Sequence, residues 1–372
     1  MYITDLKLKN FRNYGNQILS FSEERNIIFG RNAQGKTNVL EAIFLCSTGR
    51  SHRTYRDFEM ISASKDALKV ELILNKKILG VVKIEIEIGF NGKKGVKINE
   101  IPIRKIGELM GHLNVVIFSP EDVGLVKGEP QNRRRFLDMF ISQIKPSYFF
   151  NVQQYNKALR QRNALLKQIK ERTELLDTLE AWNVALAKNG ARIMNDRRYF
   201  INELGKSAKD NYIRLAGNTE ELCVSYIPMV KISEDDAIDK IELKFLQGLE
   251  KSLENDIARL STQLGPHRDD FLLVNNEKEL KTYGSQGQQR SCSLALKMAQ
   301  VDVMEVETGD IPILLLDDVM SELDRERRQN LSKNMKKAQT FITCTDSELF
   351  DNEDGVKSRF FQIEAGQSVN IL

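Results

Sequence analysis

The sequence predicts an α/β fold in which a mixed β-sheet with flanking helices is interrupted by a helical insertion. Strand-like stretches fill the first part of the chain, and a glycine-rich octet, "GRNAQGKT", separates one of them from a helix. From about Pro120 to about Gly217 the residues show helical periodicity with almost no turn signals, and α/β character returns after Gly265. We therefore expect residues 1–121 and 258–372 to form one α/β lobe and residues 122–257 to form a helical lobe.

The N-terminal part is predicted to contain strands on both sides of the octet and its helix. "YITDLKLKNF" alternates apolar and polar residues, as a half-buried strand does, and "ILSFSEERNIIFG" continues in strands as far as Gly30. "KTNVLEAIFLCSTG" has helical apolar spacing and stops at Gly49, a residue suited to a helix end. The stretch 67–100 predicts further strands, with "NGKKG" as a hairpin turn.

The insertion is predicted to contain two or three long helices. We expect breaks at Pro146 and near "ERTELLD", and an end around Gly217. A strand-like "ELCVSYIPMV" and a helical "KFLQGLEKSLENDIARLS" follow. The last part then predicts the strands "DDFLLVNN", "IPILLLDD", "TFITCT" and "RFFQIEA" and a long helix in "SCSLALKMAQVDVMEVET".

Composition excludes several classes of protein. The formal net charge is +3 over 372 residues, so net charge alone gives no support to nucleic-acid binding. The four cysteines and three histidines are too scattered for a zinc site: Cys46, Cys223, Cys292, Cys344, His52, His112 and His267. The N-terminus lacks the apolar core of a signal peptide, and no apolar run reaches membrane-spanning length. We therefore expect a cytoplasmic protein with free thiols.

The octet fits the phosphate-loop pattern G-x-x-x-x-G-K-[ST] at every constrained position. Gly30 and Gly35 allow the backbone to wrap around phosphates, Lys36 can reach the β- and γ-phosphates, and the Thr37 hydroxyl can bind Mg²⁺. The alternative is a glycine-rich turn before a helix, but the flanking strand and helix favour ATP. The predicted nucleotide-binding residues are Gly30, Arg31, Asn32, Ala33, Gln34, Gly35, Lys36, Thr37 and Asn38.

An acidic pair at the end of a buried strand is the candidate partner of this loop. In "IPILLLDD" an apolar run suited to a parallel strand covered on both faces ends in Asp317 and Asp318. Asp317 is predicted to hold Mg²⁺ together with Thr37, and Asp318 to polarise the attacking water as general base. Together with Lys36 these carboxylates are the candidate catalytic residues. The alternative is two acids that cap a strand end.

A second anion-binding helix start is predicted in "YGSQGQQRSCSLALKMA". Ser285, Gly287 and Gln288 lie just before a long apolar-periodic helix, where backbone amides favour negative charge. A serine-capped helix after a flexible turn is the alternative. Because one phosphate loop is already present, this second element indicates a nucleotide approached from two sides.

The order of these motifs resembles that of the ATPase heads of the ABC and SMC group. "SQGQQ" is similar to their signature motif, "ILLLDD" to Walker B, and "SELD", with Ser321 and Asp324, to their D-loop. Within that group the chain resembles the RecF family of bacterial recombination mediators nearly end to end. The segments that carry this resemblance are "LKNFRNY", "GRNAQGKTNVLEAI", "GRSHRTYRD", "FSPEDVGLVKGEPQNRRRFLD", "GPHRDDF", "GSQGQQRS" and "LLLDDVMSELD". It implies an ABC/SMC-type P-loop ATPase head whose helical lobe is too short for an SMC coiled coil.

The resemblance also implies how two chains would share ATP. Each nucleotide would lie between Gly30–Thr37 of one chain and Ser285–Gln288 of another, so that a homodimer forms with ATP and separates on hydrolysis to ADP. Arg12 would approach the nucleotide, and either Arg53 or Arg56 would lie near the phosphates. Phe118–Asp122 would stand in the place of the Q-loop.

Two departures from the pattern bear on hydrolysis. ABC-type heads carry a glutamate where this chain has Asp318, whose shorter side chain leads us to expect a weak ATPase that acts as a timer. The strand "TFITCTD" lacks the switch histidine of transporter-type heads, and the roles of Thr343, Thr345 and Asp346 stay open.

A basic stretch in the insertion is the candidate DNA surface. Residues 131–172 hold ten basic and two acidic residues, which suits contacts with phosphates and binding without sequence specificity. The alternative is a solvated helix face whose charges pair with acids elsewhere. The candidate DNA-contacting residues are Arg133, Arg134, Arg135, Arg160 and Arg162.

The resulting functional prediction is an ATP-gated DNA-binding protein of recombinational repair. By resemblance to the RecF family it would act with RecR and RecO to load recombinase at single-stranded gaps. A nucleotide-binding subunit of another ABC-type assembly, such as a transporter, and a P-loop kinase are the alternatives. The missing switch histidine and the basic insertion oppose the first, and the second anion-binding element opposes the kinase.

Overall fold

The computed structural model describes residues 1–77, 79–169, 172–216, 220–322, 327–328, 331, 337–346 and 356–371. These residues form two compact units, of which the first contains residues 1–122 and 300–372 and the second contains residues 123–299. Within the described part of the chain, no helix combines the length and the apolarity that crossing a bilayer requires.

The first unit begins with strands, one helix and further strands. In chain order they are β1 (Tyr2–Phe11), β2 (Tyr14–Ser20), β3 (Arg25–Phe29), α1 (Lys36–Thr48), β4 (Ala67–Lys76), β5 (Gly80–Gly89), β6 (Lys94–Ile98), β7 (Ile101–Pro102) and β8 (Val115–Phe118). The helix α1 ends as predicted at Gly49, whose φ of 69° lets its amide bond the Leu45 carbonyl.

The second unit follows, and the chain then returns to the first. The elements of this part are α2 (Gly124–Lys127), α3 (Pro130–Ile144), α4 (Pro146–Ile169), α5 (Leu179–Ala216), β9 (Leu222–Ile227), α6 (Ile238–Lys251), α7 (Leu253–Arg259), β10 (Asp270–Asn275), β11 (Lys278–Glu279), α8 (Leu280–Tyr283) and α9 (Gln286–Thr308). The residues of α9 from Gln300 onward already belong to the first unit. The remaining described elements are β12 (Ile313–Asp317), α10 (Val319–Glu322), β13 (Thr340–Cys344), β14 (Ser358–Glu364) and β15 (Gln367–Ile371).

The mixed sheet of the first unit positions the candidate site. Its strand order is β15-β14-β3-β13-β12-β8, and every neighbouring pair is parallel except β14 with β15. The residues Ile313–Leu316 of β12 are all buried, as the continuous apolar run predicted. Because parallel strands point the same way, the ends of β3, β12 and β13 meet at one edge of the sheet.

The other strands of the first unit form a separate antiparallel sheet. Its order is β2-β1-β4-β5-β6-β7. The strand β4 alternates buried and half-buried residues along its length, so that one face of this sheet is apolar. The sequence predicted these strands but not their division into two sheets, because alternation describes one strand and not the choice of its neighbour.

The second unit is mainly helical. The stretch predicted as one helix, "KFLQGLEKSLENDIARLS", is divided between α6 and α7, and the predicted helix end at Gly217 lies outside the described residues. The predicted break at Pro146 is the start of α4, and the predicted break near "ERTELLD" lies between α4 and α5. Leu166, Ile169 and Leu179 form a small buried cluster at that turn. Gly190 lies inside α5 because a Cβ there would come within 2.4 Å of the Phe245 ring on α6.

The C-terminal boundary of the second unit lies at 299/300, and not at the expected 257/258. Residues 258–299 belong to this unit because β10 pairs antiparallel with β9 over Asp270–Asn275, and β11 extends the same sheet. Arg133 of α3 is also ion-paired with Asp270, which ties β10 to the helices. The stretch 258–299 was expected in the α/β lobe because it contains both strand and helix patterns, and the sequence does not show that β10 pairs with β9 of the insertion.

Candidate functional site

The glycine-rich octet forms a loop between β3 and α1 whose glycines are required by its geometry. Gly30 and Gly35 have φ values of 142° and 113°, which side-chain-bearing residues rarely adopt. A Cβ at Gly30 would lie 2.6 Å from the Ile363 carbonyl oxygen, and one at Gly35 would lie 2.6 Å from Asn13 Oδ1. Gly35 is also the residue that precedes α1, so the free amides of the first helical turn lie at the loop.

Lys36 lies inside the curve of this loop. Its Nζ donates to the Gly30 carbonyl at 2.6 Å and to the Arg31 carbonyl at 3.2 Å, and the residue is 4% exposed. The ammonium is therefore held where the oxygens of a bound β- or γ-phosphate would accept from it.

Two turns from elsewhere in the first unit hold the loop in shape. Asn13 donates its amide to the Gln34 carbonyl at 2.7 Å, and the Tyr14 hydroxyl donates to the Gly35 carbonyl at 3.0 Å. From the turn between β14 and β15, Gly366 donates its backbone amide to the Gln34 carbonyl at 3.1 Å. These contacts order the backbone before any ligand binds, which lowers the entropic cost of binding.

Thr37 and Asp317 meet at the shared edge of the sheet. The Thr37 hydroxyl donates to Asp317 Oδ1 at 2.8 Å, although the two residues are 280 positions apart. They meet because β13 alone separates β3 from β12 in the sheet. A hydroxyl and a carboxylate are oxygen ligands of the kind Mg²⁺ prefers, and Mg²⁺ uses one or two carboxylates plus substrate phosphates. The residues present therefore fit a magnesium site of this type.

Thr343, near the end of β13, is hydrogen-bonded to both predicted acids. Its buried hydroxyl donates to Asp317 Oδ1 at 2.8 Å and accepts from the Asp318 amide at 2.9 Å. Asp318 has a φ of 53°, and its carbonyl accepts from the Ser321 hydroxyl at 2.7 Å. Asp318 therefore leaves the strand in a fixed left-handed turn.

Three further predicted motifs lie near Asp317 and Asp318 in the sequence or in the sheet: the switch-histidine region, the D-loop and the Q-loop segment. Thr345 and Asp346, in the region of the missing switch histidine, are both exposed. In the predicted D-loop, Ser321 is described, and Asp324 lies outside the described residues. The predicted Q-loop segment Phe118–Asp122 begins at the last residue of β8, and Phe118 is the register partner of Leu316 next to Asp317.

A buried glutamate on α1, absent from the sequence prediction, organises the arginines near the loop. Glu41 accepts two hydrogen bonds from Arg12, at 2.9 and 2.6 Å, and one from Ser51. Burial raises the pKa of Glu41, but the bonds from Arg12 and Ser51 and the charges of Arg12 and Arg53 outweigh it and hold the pKa below its usual value. Only the position of Glu41 four residues after Thr37 on the same helix face could have suggested this role.

Arg53 is the arginine that the structure places against the loop. Its Nη1 donates to Asn38 Oδ1 at 2.9 Å and lies 3.5 Å from Glu41. For Arg56 the described hydrogen bonds involve its main chain. Of the two arginines that the sequence left open, Arg53 therefore contacts a predicted nucleotide-binding residue.

The second predicted anion site, in the second unit, is a reciprocally capped helix start. The Ser285 hydroxyl accepts from the Gln288 amide at 3.2 Å, and Gln288 Oε1 accepts from the Ser285 amide at 2.9 Å. The structure thus contains the serine cap that the sequence offered as an alternative. This cap uses the backbone amides of Ser285 and Gln288 as donors within the helix start itself.

Glu220 holds this capped helix start from the side. Its carboxylate accepts from Gln288 Nε2 at 3.0 Å, from the Tyr212 hydroxyl at 2.6 Å and from Asn275 Nδ2 at 2.7 Å. Burial raises the pKa of Glu220, but these three hydrogen bonds outweigh it and lower the pKa. The Gln288 side chain is therefore engaged within its own unit.

The "GPHRDDF" segment packs inside the second unit, where its residues make buried hydrogen bonds. Gly265 has a φ of 133°, and a Cβ there would lie 2.4 Å from the Tyr155 hydroxyl. His267 Nε2 lies 3.0 Å from the Thr262 carbonyl, so it carries the proton, and Nδ1 accepts from the Tyr155 hydroxyl at 2.6 Å. Burial lowers the pKa of His267 to about 4.

The buried members of the candidate DNA-contacting set require correction. Arg133 is 5% exposed and makes a two-bond ion pair with Asp270, at 2.6 and 2.8 Å. Arg162 is fully buried and pairs with Asp256 at 2.7 Å. Both guanidinium groups are buried and ion-paired inside the protein, although Arg162 Nη2 has no hydrogen-bond partner there, so neither is placed to contact a DNA backbone.

Of the other three arginines of that set, one is half-buried and two are exposed. Arg134 is half-buried and donates to the Asp269 carbonyl at 2.8 Å, and burial lowers its pKa. Arg135 and Arg160 are exposed. The basic surface is therefore smaller than the sequence count suggested, because charge density along a chain does not reveal burial.

Comparison with known families and proteins gives a full-length match. The family described as "RecF/RecN/SMC N terminal domain" matches residues 2–368. The chain is 47% identical over 368 residues to the DNA replication and repair protein RecF of Acetivibrio thermocellus, covering 99% of this chain and 100% of that one. It is 44% identical over 367 residues to the protein of the same name from Alkaliphilus oremlandii, covering 99% and 100%.

Solved structures also match this chain over its full length. The structure described as the recombination mediator protein RecF-ATPrS in RecFOR pathway is 38% identical, with a TM-score of 0.94 over 100% of this chain and 98% of that chain. The Smc head domain from Pyrococcus furiosus is 17% identical with a TM-score of 0.57, over 100% of this chain and 96% of that one. The second comparison supports the fold alone, and it agrees with the predicted ABC/SMC-type head.

Proposed function

The chain belongs to the RecF family, and on this premise we propose that it is an ATP-binding protein of DNA replication and repair that dimerises on ATP and mediates recombination at single-stranded gaps. The observation that carries the proposal is the 2.8 Å hydrogen bond between Thr37 and Asp317. It joins the phosphate loop to the acidic strand end, the two halves that a magnesium–nucleotide site needs.

ATP would be bound by the loop and the start of α1. The amides of residues 30–38 would hold the phosphates, Lys36 would neutralise the β- and γ-phosphates, and Arg53 would approach them from Asn38. Mg²⁺ would bind to Thr37 and Asp317 and would compensate the phosphate charge. Relatives described as RecF-ATP and RecF-ATPrS support ATP as the nucleotide.

Hydrolysis would be slow and would end the dimer. Asp318 would orient and polarise the attacking water as general base, and its fixed backbone limits how far its short side chain can reach. A second chain would supply Ser285, Gly287 and Gln288 at the γ-phosphate, by resemblance to related heads. Loss of the γ-phosphate would remove the group that both chains contact, and the two chains would separate.

The DNA-bound state would be reached through the exposed basic side chains of the second unit. Arg135 and Arg160 would contact phosphates without reading bases, so affinity would fall as salt is raised. By family resemblance RecR and RecO would be the protein partners, and a relative described within the RecFOR pathway supports this assignment. DNA that binds the ATP-dependent dimer more tightly than the single chain would favour the dimer and so stimulate its ATPase activity.

One experiment tests the nucleotide-dependent dimer. Size-exclusion chromatography with and without ATP or a slowly hydrolysed analogue, over a range of DNA concentrations that includes zero, should show a dimer only with nucleotide. Lys36→Met should abolish both ATP binding and dimerisation. Ser285→Ala should retain ATP binding and lose dimerisation. Lys7→Ala, an exposed lysine on β1, is the control and should behave as the wild type.

Two outcomes would contradict the proposal. A chain that stays monomeric with ATP at every DNA concentration would exclude the ATP-gated dimer. Equal loss of ATP affinity in Lys36→Met and Ser285→Ala would exclude a site shared between two chains, because Ser285 would then belong to the binding site of a single protomer.

A further inference from the structure

Thr343 occupies a position where an apolar residue would satisfy the fold. It is the fourth residue of β13, fully buried between β3 and β12, and its neighbours Phe341 and Ile342 are apolar and buried. A hydroxyl at such a place costs free energy unless it is hydrogen-bonded. Its hydrogen bonds therefore indicate why a threonine is present.

The Thr343 hydroxyl joins two different parts of the acidic pair. As a donor it binds the side chain of Asp317 at Oδ1, 2.8 Å away, with the Leu316 carbonyl as a more distant second acceptor at 3.4 Å, and as an acceptor it binds the main chain of Asp318. One atom thus contacts both the side chain of the first acid, to which Thr37 also donates, and the backbone of the second. A buried hydroxyl has one proton and two lone pairs, so it can perform both tasks at once.

Asp318 depends on such an anchor because of its backbone conformation. Its φ of 53° lies in the left-handed region, which residues with a Cβ adopt at a cost. The Thr343 bond to its amide and the Ser321 bond to its carbonyl hold this peptide from both sides. Loss of the first bond would remove one of these two anchors, so we expect the Asp318 peptide, and with it the direction of its carboxylate, to shift.

We propose that Thr343 is a positioning residue of the magnesium–ATP site, which fixes Asp317 for the metal and Asp318 for the attacking water through its single hydroxyl. This inference rests on the proposed function, since it assigns a role within the same nucleotide site. Thr343 touches neither metal nor nucleotide in this scheme. It acts through the two acids, as the outer hydrogen-bonding partners of metal ligands do in other proteins.

Three substitutions test the role, and the strand itself offers a matched control. Thr343→Val keeps the shape and removes the hydroxyl, Thr343→Ser keeps the hydroxyl, and Thr343→Cys replaces it with a weak donor. Thr340→Val is the control, because Thr340 is also buried on β13 and its hydroxyl bonds only the nearby Ala338 carbonyl among the contacts described.

The measurement is the binding of fluorescent ATP as a function of Mg²⁺ concentration, with thermal unfolding of the ligand-free proteins alongside. Thr343→Val should raise the half-saturating Mg²⁺ concentration about 10- to 100-fold, the usual effect of losing an outer partner of a metal ligand. Thr343→Cys should act in the same direction, whereas Thr343→Ser and Thr340→Val should leave the Mg²⁺ dependence unchanged. If Thr343→Val does not fold, the comparison of Thr343→Cys with Thr343→Ser decides.

The possible failures are distinguishable. Wild-type-like Mg²⁺ dependence in Thr343→Val or Thr343→Cys would overturn the role of Thr343 and leave the proposed function intact. An equal shift in Thr340→Val would overturn it too, because it would trace the effect to general loosening of β13. A wild-type chain that binds no ATP at any Mg²⁺ concentration would overturn both the role of Thr343 and the proposed function.

Discussion

His267 lies between a tyrosine hydroxyl and a backbone carbonyl, and this environment keeps its imidazole neutral. Its pKa falls from an ordinary 6.5 to about 4, chiefly because burial disfavours the charged form. The unfolded chain therefore binds a proton at a higher pH than the folded chain does. Between pH 6.5 and pH 4 stability falls as the pH falls, and below about pH 4 this histidine contributes no further change.

We expect His267→Gln to flatten the pH dependence of unfolding in that window. A shift of this size corresponds to at most about 3 kcal/mol of unfolding free energy, lost progressively from pH 6.5 to pH 4. Glutamine can donate and accept but does not titrate, so the variant should lose less stability over the same range. Urea unfolding followed by the fluorescence of Trp182, the sole tryptophan and a residue of α5, would measure it. Parallel curves for the two proteins would contradict the assignment.

The arginines of the basic stretch should divide into two classes when they are replaced. Replacing exposed Arg135 and Arg160 by alanine should weaken DNA binding and reduce the salt slope of log K by about 0.9 for each phosphate that the variant no longer neutralises. The free energy of unfolding should stay unchanged. DNA affinity measured over a range of salt concentrations would test this, and an unchanged slope in the double variant would exclude these residues as phosphate ligands.

Arg162→Met should behave in the opposite way. It would leave Asp256 buried without its partner, which costs about 3–5 kcal/mol of stability. DNA affinity of the remaining folded protein should be close to that of the wild type. Denaturant unfolding and a DNA-binding assay on the folded fraction would separate these effects. A stable variant with weak DNA binding would show that Arg162 contacts DNA.

The role of a single residue could be predicted where a short sequence pattern determines it. It could not be predicted where the role depends on contacts made by tertiary folding. The prediction that Thr37 and Asp317 share a site agrees with their direct contact, because the phosphate-loop pattern and a buried strand ending in acids are both local. Arg133 and Glu41 could not be interpreted from the sequence. Their roles depend on partners and burial that only tertiary packing creates.

The start of α9 depends on a contact from another part of its unit. Glu220 links the Gln288 side chain to Tyr212 near the end of α5 and to Asn275 at the end of β10. The helix start that would face a partner chain's nucleotide is thus tied to α5, the longest described helix of the second unit. A change in that helix would alter the geometry of Ser285 and Gly287 through this carboxylate.

We expect Glu220→Gln to weaken ATP-dependent dimerisation about tenfold and to leave ATP binding by the single chain unchanged. Hydrogen bonds to a charged group are stronger than neutral ones, so loss of the charge loosens all three contacts. Glu221→Gln is the matched control, because its exposed carboxylate pairs with Lys209 at the surface. Sedimentation of both variants with ATP would measure the effect. Equal dimerisation would exclude Glu220 from this role.

The ends of secondary-structure elements were predictable where a proline or a glycine marks them. Pro146 begins α4 and Gly49 ends α1, as their restricted and permissive backbones dictate. Strand pairing was not predictable, because β3 and β13 are neighbours in the sheet across more than 300 residues of sequence. The boundary near residue 299 was missed for the same reason, since β10 pairs with β9 and not with the strands of the α/β lobe.

The two chains of the proposed dimer should be trapped together when hydrolysis is blocked. Asp318→Asn removes the general base and keeps the shape of the side chain, so we expect hydrolysis to fall by about 10²- to 10⁴-fold. ATP binding should persist, and the dimer should survive much longer on a sizing column after excess ATP is removed. Glu305→Gln, an exposed change on α9, is the control. Rapid separation of the Asp318→Asn dimer would contradict a link between hydrolysis and release.

The order of strands in the mixed sheet also has a consequence for biosynthesis. The phosphate loop leaves the ribosome early. The two neighbours of β3, β13 and β14, and the strand β12 that carries Asp317 are synthesised about 300 residues later. Until then β3 lacks both neighbours in its sheet, and the emerging chain has a loop without an acidic partner. A ribosome-bound or truncated chain that ends before β12 would therefore not bind Mg²⁺–ATP. It would also not compete with the finished protein for a second chain in the ATP-dependent dimer.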